Sequence, residues 1–143
     1  MPYRYLDDIA TADVAFIAWG NCREELFSAA ADALMNVMVA DLATIQRRET
    51  VVIDLEEGDL DLLLFSFLQE LIFFKDARQL LLRVESVALV PVEGGIQVKA
   101  TVTGERIAPE RHSLLVDVKA VTFHRFRVGQ TPDGWEAEVI LDI

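Results

Sequence analysis

The chain has 143 residues, 52% apolar and 26% charged, with 13 Lys and Arg against 24 Asp and Glu for a net charge of −11. That length suits one domain over residues 1–143, large enough to bury roughly 68–70% of its unfolded surface without disulfide or metal staples. The apolar fraction and a mean hydropathy of +0.30 exclude a disordered chain, while the charge predicts repulsion from nucleic acid and anionic membranes and leaves cations and basic protein surfaces as partners.

Tyr3 to Leu6 reads as a short strand. Asp13 to Trp19 reads as a second, stopped by Gly20. Asn21 offers an N-cap oxygen and Glu24 stands three residues on, a capping-box pattern. Leu26, Ala30, Ala33, Leu34, Val37 and Met38 then recur at helical spacing, predicting a helix from about Arg23 to Met38. Arg47 to Leu55 looks like a strand with Val51 and Ile53 on one face. Glu56-Glu57-Gly58-Asp59 is a turn, and Asp59 can cap a second helix over Leu60 to Lys75. This helix is apolar around most of its circumference, so a sheet on one side and a partner or central position on the other should cover it.

After residue 79 the period becomes two. Leu80 to Val92 reads as a strand, Glu93-Gly94-Gly95 as a hairpin turn, and Ile96 to Val102 as an alternating strand. Leu114 to His124 reads as another strand, running on toward Val128. Thr131-Pro132-Asp133-Gly134 is a turn, and Trp135 to Ile143 a final strand. Helices in the first half and hairpin-linked strands in the second predict an α+β fold, a two-layer sandwich of mostly antiparallel sheet with two helices packed on it. The most apolar stretch, Leu60 to Phe74, carries Asp61, Gln69 and Glu70 and is too short to span a bilayer. The first residues hold no apolar run of a signal peptide. A soluble, cytoplasmic protein of open oligomeric state is expected.

Cys22 is the one cysteine, so an intramolecular disulfide or a paired-thiolate zinc site is excluded. A helix N-terminus lowers a thiol pKa, yet spacing alone does not bring Cys22 to His112 or His124, and a small residue in a packed first turn is the plainer reading. No G-x-S-x-G, H-E-x-x-H or phosphate-binding loop is present. Carboxylates are more informative. Asp7, Asp8 and Asp13 cluster, and Asp142 precedes Ile143 with its α-carboxylate. If the last strand runs beside Asp13, several hard oxygens converge, which suits Mg²⁺, Mn²⁺ or Ca²⁺ rather than zinc. The plainer alternative is turn residues and a solvated chain end. His112 and His124 are more simply polar surface or strand residues than ligands, His112 lying beside Arg111 in a predicted loop. Phe65, Phe67, Phe73 and Phe74 are most simply core, with a partner surface as the lesser reading for the last two. The acidic run Asp54 to Asp61 is a solvated turn or a dock for a basic partner.

Several segments carry a resemblance in order along the chain. They are Tyr5-Leu6-Asp7, Thr11-Ala12-Asp13-Val14, Glu24-Glu25-Leu26-Phe27, Gly104-Glu105 with His112, Lys119-Ala120-Val121-Thr122-Phe123-His124, Asp133-Gly134-Trp135 and Leu141-Asp142-Ile143. On these residues the chain resembles the archease family over nearly its whole length. The resemblance implies an accessory protein and not an enzyme. It implies a divalent metal ion (Ca²⁺, Mg²⁺ or Mn²⁺) held by Asp13, Asp142 and the α-carboxylate of Ile143, with Lys119 and His124 matching motif positions nearby. The implied partner is an RtcB-type RNA ligase, whose guanylylation and repeated turnover the family promotes in tRNA splicing or RNA repair. One departure is Ala10, which stands where the family motif has histidine. The runner-up is a chaperone-like interaction module without a functional metal site. A metal-dependent hydrolase is disfavoured, since no general base or nucleophile accompanies the carboxylates.

Overall fold

The computed structural model describes residues 2–6 and 13–143. Alternating segments become strands and i, i+3, i+4 segments become helices: β1 (Tyr3–Leu6), β2 (Asp13–Gly20), α1 (Arg23–Met38), β3 (Glu49–Glu57), α2 (Leu60–Arg78), β4 (Leu80–Val92), β5 (Gly95–Arg106), β6 (Ala120–Thr131) and β7 (Gly134–Asp142). Among the described residues the strands form two antiparallel sheets, ordered β1-β2-β7-β6 and β3-β5-β4. The α+β class and antiparallel pairing are as expected, with the strands divided between two sheets. The helices pack against both: α1 on β2, β7 and β4, and α2 on β3, β4, β5 and β6.

That position explains the apolarity of α2. Leu63, Leu64, Phe67, Leu68 and Leu71 are fully buried, and the Phe27 and Phe67 rings lie 5.4 Å apart where the helices meet. Asp59 caps α2 as its sequence predicts, its Oδ1 accepting from the Leu62 N–H at 2.8 Å. The helix runs three residues past Lys75 and stops at Gln79, which takes a left-handed φ of 55°. Gly94 supplies the positive φ of 79° that the β4–β5 turn requires. No helix among the described residues is long and apolar enough to cross a membrane.

Two expectations need correction. Cys22, not Asn21, occupies the cap of α1 and makes no side-chain cap bond. The tie is shifted by one residue, with the Asn21 N–H donating to Glu25 Oε1 at 3.0 Å. The strand expected from Leu114 begins at Ala120. Residues 113–115 bond instead to the end of α1, where the Ala40 N–H donates to Ser113 O and the Leu115 N–H to Met38 O. Leu114, Leu115 and Val116 are all exposed, so no alternating face is buried there.

Candidate functional site

The two-residue period of a strand decides where the acidic groups point. In β2, Phe16 and Ala18 enter the core between sheet and helices, which sends Asp13, Ala15 and Ile17 to the opposite face. In β7, Ala137, Val139 and Leu141 enter that core, which sends Glu138, Ile140 and Asp142 to the same opposite face. The register then sets Asp13 directly across from Asp142, with Ala120 of β6 on the other side of Asp142. The Lys119 N–H donates to the Asp142 carbonyl at 2.8 Å. Directly opposed residues hold their Cβ atoms about 4.5–5.5 Å apart. Asp13 and Asp142 are both half-buried. Ile143 is half-buried too and packs its side chain on the core.

Two like charges facing each other destabilise a sheet unless something neutralises them. Among the described residues, neither aspartate makes a side-chain hydrogen bond or ion pair. No group of three or more His, Cys, Asp or Glu side chains gathers as a metal site among those residues either. The donors at this spot are two side-chain carboxylates and, one residue on, the α-carboxylate of Ile143. An all-oxygen, anionic set of this kind fits a hard divalent cation.

Lys119 thus lies beside the pair through its backbone, and its side chain is exposed. His124 lies further along β6, in the interval between Thr122 and Arg127 where pairing with β7 is interrupted, and is exposed. Cys22 is exposed just past the other end of β2 from Asp13. Asp7, Asp8 and Ala10 lie outside the described residues.

His112 is not the surface residue expected, being only 2% exposed. Its Nδ1 accepts from the Ala108 N–H at 2.9 Å, so the ring proton sits on Nε2, which meets Glu105 Oε2 at 2.9 Å. Glu105 is equally buried and also accepts from the Gln46 N–H at 2.8 Å and from Arg111. The Arg111 hydrogen bond, helped by Gln46 and His112, holds the Glu105 carboxyl at about 2 despite the opposing push of burial. This cluster staples the loop after β5 to the segment before β3. Only the Gly104-Glu105…His112 order hinted at it. Lys75 was also missed as a buried charge. Its Nζ bonds the Val118 carbonyl at 2.6 Å and Asp117 Oδ1 at 2.5 Å, and its place in the Leu68, Leu71, Ile72, Lys75 stripe was the available signal. Phe67 is core as expected, whereas Phe73 is 56% exposed.

The Archease protein family model matches residues 3–143. A protein archease of Pyrococcus abyssi is 36% identical over 134 residues, covering 93% of this chain and 94% of its own. A protein archease of Methanopyrus kandleri is 34% identical over the full length of both chains. The solution structure of a Methanobacterium thermoautotrophicum protein superposes with a TM-score of 0.85 at 32% identity over 99% of each chain. A Thermotoga maritima crystal structure, described as an archease and possible chaperone, has a TM-score of 0.64 at 18% identity over 96% of this chain and 97% of its own. At that identity it bears on the fold alone.

Proposed function

This chain belongs to the archease family, and we propose that it is a cytoplasmic accessory protein, not an enzyme, that binds a divalent cation and activates an RtcB-type RNA ligase. Asp13, Asp142 and the α-carboxylate of Ile143 hold the cation. When bound, it supplies positive charge to the phosphates of GTP during guanylylation of the ligase. The chain's own residues do three things. The β2–β7 register holds the two carboxylates at fixed spacing. The Ile143 side chain packs on the core and so anchors the chain end that carries the terminal carboxylate. The net charge of −11 steers the protein toward a basic, RNA-binding partner and away from RNA itself.

The observation that carries this proposal is the direct pairing of Asp13 with Asp142 without a basic partner among the described residues. Calorimetric titration with Mn²⁺ and Ca²⁺ tests it, run beside a ligase turnover assay. The wild type should show one saturable site and stimulate turnover, and Asp13→Ala should lose both while keeping its fold. Undiminished stimulation by that variant refutes the metal-linked function. The chaperone-like reading has one observation in its favour, the consecutive exposed Leu114, Leu115 and Val116. It predicts suppression of aggregation that is indifferent to chelator.

A further inference from the structure

We propose that the solvent-facing side of α2 is a docking groove for a basic protein segment, which inserts an apolar side chain flanked by Lys or Arg. Helix α2 is buried on most sides, yet Leu62 and Phe73 on its outer stripe are 41% and 56% exposed. Between α2 and β3 runs an open groove of about 560 Å³, lined by Leu55, Glu57, Phe65, Ser66, Glu70 and Phe73 along with Gln69. Phe65, on its floor, stacks face to face with Phe123 of β6 at 3.9 Å between centroids and 4° between planes. Phe126 meets Phe65 edge-on at 5.5 Å.

The chain goes out of its way to place these rings. Thr122 pairs with Ile140 and Arg127 with Glu138, so Phe123 to Phe126 stand opposite Val139 alone. The bulge passes through Arg125 at φ 55°, a left-handed conformation that costs a non-glycine residue of order 1 kcal/mol or more. It leaves Phe123 65% exposed beside α2. The surrounding frame is firm, for the Val121 N–H donates to Gln69 Oε1 at 2.6 Å, tying β6 to α2. A contiguous aromatic patch with a polar rim is the signature of an interaction surface.

Charge identifies the occupant. Glu57 and Glu70 line the groove, and among the described residues no Lys, Arg or His does. The Ser66 hydroxyl donates to Glu57 Oε2 at 2.6 Å and so fixes one carboxylate toward the groove. Among the described residues neither glutamate has an ion-pair partner. Carboxylates beside exposed ring faces attract guanidinium and ammonium groups and repel phosphates. The complement is therefore a cationic, partly apolar protein segment and not a nucleic acid. The groove shares no residue with the Asp13–Asp142 pair, so it stands or falls independently of the metal reading.

Fluorescence anisotropy on the full chain in EDTA tests this, with a labelled amphipathic peptide bearing Leu and Phe on one face and Lys and Arg on the other. Phe73→Ala, Phe123→Ser and Glu70→Lys should each weaken binding by about tenfold, the cost of losing one anchor. These side chains are at least partly exposed, and unchanged circular dichroism checks that each variant folds. Val90→Ala, an exposed apolar residue away from the groove, should bind like wild type. Equal binding by all variants overturns the proposal, as does equal binding of the peptide with Lys and Arg replaced by Glu. Preferential binding of a labelled single-stranded oligoribonucleotide lost in Phe123→Ser overturns it as well.

Discussion

Glu105 sits near the end of β5 and Asp142 near the end of β7, and the two carboxylates live in opposite surroundings. Glu105 is sealed from water and has a donor on every side: His112, Arg111 and the Gln46 N–H. Asp142 is half-exposed and faces another carboxylate, Asp13. A buried charge with all its partners present joins chain segments and has nothing left to offer a ligand. A pair of like charges held at fixed distance is a standing electrostatic cost that a cation removes. The difference separates a carboxylate that builds the fold from carboxylates that the fold presents.

The sharpest way to break this contrast is Glu105→Ala. It strands the His112 Nε2–H and the Gln46 N–H and should cost about 3 kcal/mol, or about 10 °C in Tm by calorimetry. A drop of only a degree or two would mean the cluster is not structural. Its acid dependence sharpens the point. The folded-state pKa of about 2 lies below the ordinary 4.5, so the charged form is favoured by folding. The stability it contributes is complete above pH 4.5 and is lost as pH falls from there toward 2. Denaturant titrations across that range should show a shallower slope for Glu105→Gln than for wild type.

The acidic pair should behave in reverse. At a Mn²⁺ or Ca²⁺ concentration one hundred times Kd, wild type should gain about 2.7 kcal/mol, and Asp13→Asn should gain nothing. In EDTA, Asp142→Asn should be more stable than wild type by about 0.5 kcal/mol, because the opposed charge is gone. A destabilised variant there would mean that the carboxylates are bonded as Glu105 is. The smallest effect belongs to His124→Ala. Exposed and outside the row of Asp13 and Asp142, it should change stability by less than about 0.5 kcal/mol and leave the calorimetric metal affinity unchanged.

Local chemistry was readable from residues alone. Asp59 as the cap of α2, the Gly94 turn and the bounds of α1 all follow from side chains within a few positions of one another. What escaped was set by distant contacts. β6 starts late because the preceding segment gives its backbone groups to the end of α1. His112 is buried because Glu105, seven residues earlier, turns inward to meet it. For the acidic pair, alternation indicates the face but not the register. The alignment of Asp13 with Asp142 rests on eight consecutive partners between strands from opposite ends of the chain, which periodicity alone does not supply.

Both faces of β7 are occupied, Val139 and Leu141 on one and Glu138 and Ile140 on the other, all of them buried. The strand therefore acts as a parity counter between the Pro132-Asp133 turn and the acidic end. Deleting a single residue within it would swing the carboxylate of Asp142 toward the helices and expel Leu141 to the outside, whereas removing two would shorten the strand and keep every side chain on its own face. Length changes here are tolerable only in even steps, a stricter rule than any single substitution along the same strand must obey.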